Sequence, residues 1–157
     1  MLEDLTFKSL GIVNYHETLE QMRAHINADD FKNEIWILEH PPVFTLGTAA
    51  DKKHILDSKK IPVVQSDRGG EVTYHGPGQL VIYPTIKITS LKWSIAEFTA
   101  VLENVAKDIA NLYGIQAHNI PGRPGIYVEG KKLGAIGFHV RRGIVTHGLA
   151  LNINNDL

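Results

Sequence analysis

The sequence predicts an α/β domain of the α+β type, a mixed or antiparallel sheet with helices packed on it. Three observations predict it. Apolar runs of strand length recur at residues 35–38, 43–46, 61–64, 80–88 and 144–153, with only two segments of helical period among them. Two further runs, 126–128 and 133–136, flank Glu129-Gly130 in the manner of a hairpin. Strands in runs with few intervening helices argue against a doubly wound parallel sheet, in which strand and helix alternate.

In chain order, the first helix starts near Asn14, an N-cap residue with Glu17 three positions on, and Tyr15, Leu19, Met22 and Ile26 follow at helical spacing. It is expected to end within residues 27–30. The run at 35–38 stops before Pro41-Pro42 and the run at 43–46 stops before Gly47, giving a buried strand and a second extended segment. Residues 52–60 are a polar connection, and the runs at 61–64 and 80–88 are strands separated by the glycine-rich stretch 69–78. The clearest helix covers residues 94–113. Ser94 and Glu97 form a capping box, Gly114 is a stop, and Ile95, Phe98, Val101, Leu102, Val105, Ile109 and Leu112 make one apolar face. The final strand lies within 144–153.

A length of 157 residues fits one domain that buries about 68–70% of its unfolded surface. Apolar residues at 43% exclude general disorder, and no apolar run approaches the ~18 residues of a membrane span. The first residues carry acidic groups where a secretory signal would be basic, so a cytoplasmic location is expected. Sixteen basic against seventeen acidic residues leave a net charge of −1, too little to argue for nucleic-acid or membrane binding. The sequence contains no cysteine, hence no disulfide or thiolate metal site, and its eight histidines show no compact ligand spacing, so no metal is expected.

The segment RGGEVTYHGPGQL, residues 68–80, is the densest in chemistry-bearing types. Its glycines admit close backbone approaches that a Cβ forbids, which suits either a binding loop or an irregular turn. It matches neither the dinucleotide fingerprint nor the P-loop. Together with LEHPPVFTLG (38–47), RPGIYV (123–128), KLGAIG (132–137) and THGLALNI (146–153), it resembles the lipoyl(octanoyl) transferase family, with the blocks in the same order over most of the chain.

That resemblance implies the α/β core of biotin and lipoate protein ligases, and transfer of octanoyl from octanoyl-acyl carrier protein to a lysine of lipoyl domains of 2-oxoacid dehydrogenase complexes and of the glycine-cleavage H protein. It implies a monomer with no cofactor. Carried over by motif, Arg68, Gly69, Gly70, Glu71, Val72, Thr73, Tyr74 and His75 form the substrate-binding loop. Ala135, Ile136 and Gly137, with Gly148, Leu149 and Ala150, form two further acyl-contacting segments, and Lys132 is the lysine paired with the nucleophile. The family's nucleophile is a cysteine in a Pro-Cys-Gly segment beyond the last block. The sequence stops at Leu157, so one catalytic domain over residues 1–157, shortened at its C-terminal side and inactive as it stands, is the expectation.

The chemistry suits those types. A thioester acyl-enzyme conserves the energy of the incoming thioester, and a buried ammonium at Lys132 would favour thiolate and shuttle protons. Periodicity alone reads Lys132 as a solvated lysine beside a turn, with Lys131 on the opposite strand face. His75 reads as a binding residue, and His147 reads equally as structural or functional. Two alternatives remain at this stage: an ATP-dependent lipoate or biotin ligase, disfavoured because RGG passes directly to EVTYHGPG, and a non-catalytic remnant that binds acyl carrier or lipoyl domain.

Overall fold

The computed structural model describes residues 5–156, which carry ten strands and two α-helices. Strands β1 (Thr6–Ile12), β2 (Glu34–Glu39), β6 (Gln79–Lys87), β7 (His118–Ile120), β8 (Arg123–Val128), β9 (Lys131–Arg141) and β10 (Ile144–Asn152) form a seven-stranded sheet in the order β1-β2-β6-β10-β9-β8-β7. Only the β1–β2 pair is parallel in it. A second sheet places β3 (Val43–Leu46) between β4 (Val63–Gln65), parallel to it, and β5 (Val72–His75), antiparallel. This is the mixed α/β architecture expected from the sequence.

Helix α1 (Tyr15–Asn27) is capped by Asn14, whose side chain accepts from the His16 amide; Glu17 supplies no reciprocal bond. Helix α2 (Ile95–Leu112) begins with the full Ser94/Glu97 capping box. The hairpin joining β8 to β9 turns at Glu129 and Gly130, both left-handed at φ 49° and 77°, as a two-residue turn of the I′ kind requires.

Alternation along the central strands sends successive residues to opposite helices. Val81 and Tyr83 of β6 and Ala150 of β10 pack with Tyr15, Leu19 and Met22 of α1. Ile86 of β6 and Val145, Leu149 and Leu151 of β10 pack with Phe98, Leu102, Ala106 and Ala110 of α2. The face expected for α2 is corrected here. Ile95, Val101, Val105 and Leu112 are exposed, because the helix lies down on its alanines and turns its larger aliphatics outward.

Three strands escaped the sequence reading. β1 is an edge strand whose residues are nearly all exposed, so it lacks an alternating pattern. β7 has three residues, and β5 lies inside the glycine-rich stretch read as a loop. None of the described helices is long and apolar enough to cross a membrane.

Candidate active site

The glycine-rich segment is stitched to the rest of the protein by its own backbone. Thr48 and Ala49 donate to the carbonyls of Arg68 and Gly70, Gly47 donates to that of Glu71, and Gly69 donates to Phe138 of β9 at 3.0 Å. A Cβ on Gly137 would stand 2.9 Å from the Gly69 carbonyl oxygen, so β9 and the loop approach this closely only with glycine there.

Arg68 organises the loop from inside. It is 6% exposed, and its guanidinium donates to the Thr45 hydroxyl, the Thr45 carbonyl, the Gly69 carbonyl and the Glu71 carbonyl. Four protein oxygens therefore take its N–H groups, and burial pulls its pKa down. Its observed work is to hold the wall. The amides of Gly70 and Glu71, by contrast, donate to no backbone carbonyl among the described residues.

Between this loop, β9 and β10 lies a cavity of about 790 Å³, inside the range of small-molecule sites. Arg68, Gly69, Gly70, Glu71, Val72, Thr73, His75, Lys132, Ala135, Ile136, Gly137, Gly148, Leu149 and Ala150 all line it. Of the residues singled out in the sequence, Tyr74 alone is not in its lining, and its ring packs on Phe44. Alternation along β5 puts Tyr74 on the face opposite Thr73 and His75, while Val72, on the same face as Tyr74, reaches the cavity from the start of the strand.

Lys132 stands at the rim, exposed where a buried group was expected. Its Nζ donates to the Pro124 carbonyl at 3.2 Å and lies 5.4 Å from the centre of the Tyr127 ring. Lys131 is absent from the lining, as the opposite strand face requires.

Ile95 and Thr99 of α2, Gly122, Arg123, Pro124, Tyr127, Tyr83, Phe138 and His147 also line the cavity without having been singled out as binding residues. At its floor His75, expected from the sequence, joins a stack of rings whose other members were not singled out as binding residues. Tyr15 lies against His75 and His147, and Tyr83 against His40 and His147. His40 donates from Nδ1 to the Val13 carbonyl and accepts from the Tyr83 hydroxyl at 3.0 Å. His75 donates from Nδ1 to Gln79 Oε1 at 2.6 Å, and Tyr15 donates to Ser66 Oγ at 2.7 Å. Burial is the first cause in both histidines, lowering His40 to about 4 and His75 to about 3, so both rings are neutral near pH 7.

His147 is the exception to strand geometry. Its neighbours two places away, Val145 and Leu149, face α2, yet its ring packs on Tyr15 and Tyr83 at the α1 side. A φ of +58° turns it across. The opening comes from Pro84, which lies opposite it in β6, has no N–H for the ladder, and interrupts the β6–β10 register between Val145 and Leu149. A proline within the apolar run at 80–88 was the one sequence signal for this irregularity. Nε2 of His147 lies 2.8 Å from Asp67 Oδ1, and Asp67 Oδ2 accepts from Arg23. The hydrogen bond from His147, reinforced by Arg23, holds the Asp67 carboxyl well below the usual range. Among the described residues no group of three or more His, Cys, Asp or Glu is placed to hold a metal ion.

Solved structures of lipoate- and biotin-ligating enzymes share this mixed-sheet fold. A putative lipoate protein ligase from Thermoplasma acidophilum with bound lipoic acid superposes with a TM-score of 0.70 at 16% identity, over 98% of this chain and 70% of that one. Biotin protein ligase from Aquifex aeolicus matches with a TM-score of 0.54 at 10% identity, over 100% of this chain and 53% of that one. The chain belongs to the lipoyl protein ligase A/B catalytic domain family, whose model matches residues 14–157, and within it to the acyltransferases typified by its curated relatives. One of them, the octanoyltransferase of Marinomonas sp. (strain MWYL1), is 46% identical over 156 residues, 98% of this chain and 73% of that protein.

Proposed function

We propose that the cavity holds an octanoyl chain and that these residues form the pocket-bearing part of an octanoyltransferase that takes the acyl group from octanoyl-acyl carrier protein and gives it to a lysine of lipoyl domains. The observation that supports this most is the convergence of four separate sequence blocks, those of Arg68, Lys132, Gly148 and Arg123, on one cavity of about 790 Å³. Ile136, Leu149 and Ala150 offer the apolar wall. The unengaged amides of Gly70 and Glu71 are the donors available for a developing oxyanion.

The transfer needs a thiolate, which residues 1–157 do not contain; in this reading a downstream cysteine supplies it at the rim beside Lys132. The thiolate attacks the octanoyl carbonyl carbon, the carbon–sulfur bond to the carrier breaks, and the Lys132 ammonium protonates the departing carrier thiolate. In the second half the acceptor lysine nitrogen attacks, the carbon–sulfur bond to the enzyme breaks, and the neutral Lys132 amine takes the proton lost by the nitrogen. The thiolate is thereby regenerated and no ATP is consumed. The protein acts as a monomer in the cytoplasm, with 2-oxoacid dehydrogenase lipoyl domains and the glycine-cleavage H protein as acceptors.

Intact-protein mass spectrometry after incubation with octanoyl-acyl carrier protein tests this reading. Residues 1–157 alone acquire no hydroxylamine-labile octanoyl mass, whereas a longer chain carrying the cysteine does and its Cys→Ser variant does not. In that longer chain Lys132→Ala slows acyl loading by about 10²–10⁴-fold and Lys131→Ala leaves it near the parent rate. Equal effects of the two substitutions would remove Lys132 from the mechanism, and an octanoyl mass on residues 1–157 would mean that another nucleophile operates.

A further inference from the structure

The His147 ring lines the cavity, and one of its hydrogen-bonding atoms has no partner among the described residues. His147 is 1% exposed, and its Nδ1 is buried without a hydrogen bond among the described residues. The two hydroxyls beside the ring cannot supply one, since Tyr15 donates to Ser66 and Tyr83 donates to His40. A buried acceptor left without a donor is unfavourable. The left-handed backbone that puts the ring there, at φ +58°, adds strain in a residue other than glycine. Two unfavourable features at one residue facing a cavity point to a ligand group that completes it.

The structure fixes which kind of group. Burial outweighs the opposing pull of Asp67 and lowers the pKa of His147 from its ordinary value, leaving the ring neutral near pH 7; Asp67 is an ionised carboxylate, which only accepts, so the ring proton sits on Nε2 and Nδ1 presents a lone pair. The missing partner is therefore a donor. A thioester offers no N–H at its reacting bond, whereas the ε-nitrogen of an acceptor lysine does, both as the attacking amine and as the amide of the product. Arg68, Arg123 and Lys132, the cations lining the same cavity, bring only N–H groups and cannot receive it.

We propose that His147 Nδ1 is the acceptor that recognises the nitrogen side of the acyl bond, the ε-nitrogen of the acylated lysine, with Asp67 as the positioning residue that fixes the ring's tautomer. This rests on the octanoyl reading of the cavity and adds the discrimination between amide and thioester to it.

The test compares two ligands on the 157-residue protein: Nε-octanoyl-lysine with blocked termini, and the isosteric ester in which oxygen replaces the amide N–H. Calorimetry is expected to show the amide binding about tenfold tighter, the scale of one hydrogen bond to a buried acceptor. The ¹⁵N resonance of His147 Nδ1 is expected at the position of an unprotonated ring nitrogen in the free protein, shifting upfield with the amide and staying in place with the ester. His147→Asn, chosen because asparagine tolerates a positive φ, abolishes the amide-over-ester ratio. Asp67→Asn, which lets the ring proton move to Nδ1, reduces it.

Equal affinities in the parent protein, or an Nδ1 resonance that ignores the amide, overturn the inference and leave Nδ1 to a cavity water. Both readings come from the parent protein, so they decide even if a variant fails to fold. Absence of binding by either ligand overturns the octanoyl reading of the cavity, and this inference with it.

Discussion

The two faces of the seven-stranded sheet are packed by different chemistry, although the same strands supply both. On the α2 face, Phe98, Leu102, Ala106 and Ala110 meet Ile86, Val145, Leu149 and Leu151, and cohesion comes from aliphatic contact. On the α1 face, Tyr15, His40, His75, Tyr83 and His147 lie ring against ring beneath the cavity, held by hydrogen bonds that reach distant parts of the chain for His40 and His147 and nearby Gln79 for His75. Apolar contact tolerates change in proportion to volume. A buried polar network tolerates change only while every donor keeps an acceptor. Apolar packing supports both faces, with Leu19, Met22 and Val81 supplying it on the α1 side, and the buried polar network is particular to the α1 face.

The largest effect is expected from removing the buried aromatic ring of α2. Phe98→Ala is expected to cost about 3–5 kcal/mol in chemical denaturation, through lost transfer energy plus the cavity left behind. Octanoyl affinity of the fraction that remains folded should be unchanged. A cost below about 1 kcal/mol would mean that Trp93 and Phe138, both packed on this ring, close over the gap.

Acid is the matching test of the α1 face. His40 and His75 titrate near 4 and 3 when folded, against about 6.5 in the unfolded chain, so the unfolded state binds more protons over that interval. The sign follows: their contribution is complete above about pH 6.5 and is lost as pH falls towards the folded values. By pH 5 the loss is roughly 2 kcal/mol for each ring. Denaturant midpoints measured between about pH 7.5 and pH 5 check it, and a flat profile would mean that water reaches both rings.

What the sequence disclosed follows the same division. The Ser94/Glu97 capping box, the Glu129-Gly130 turn and the apolar run of β10 are local signals, and each element stands where those residues put it. The motif blocks located the cavity walls, but not what each side chain does there. Arg68 spends its N–H groups on Thr45, twenty-three positions away in sequence, a pairing that no local pattern records. His147 crosses to the α1 face because Pro84 lacks an amide in the neighbouring strand, which becomes visible only once the register between β6 and β10 is known. The apolar face of α2 was misplaced for a related reason: hydrophobicity scales favour Val101, Val105 and Leu112, whereas close packing on a sheet favours Ala106 and Ala110.

The smallest expected effect shows where the division between the faces stops. Ser94 caps the first turn of α2, accepting from the Glu97 amide while the Glu97 carboxylate accepts from Ser94. That turn belongs to the apolar face through Phe98, yet Ile95 and Thr99, on its other side, line the cavity. Ser94→Ala should cost about 1 kcal/mol of stability, the usual loss for an N-cap. If the first turn is also a cavity wall, fraying it loosens the mouth, and octanoyl affinity falls by about two- to threefold, under 1 kcal/mol. Ser94→Asp, which restores a capping acceptor and places a negative charge at the helix N-terminus, should recover both quantities together. Recovery of stability without recovery of affinity would place the acyl chain away from α2, against β9 and β10 alone.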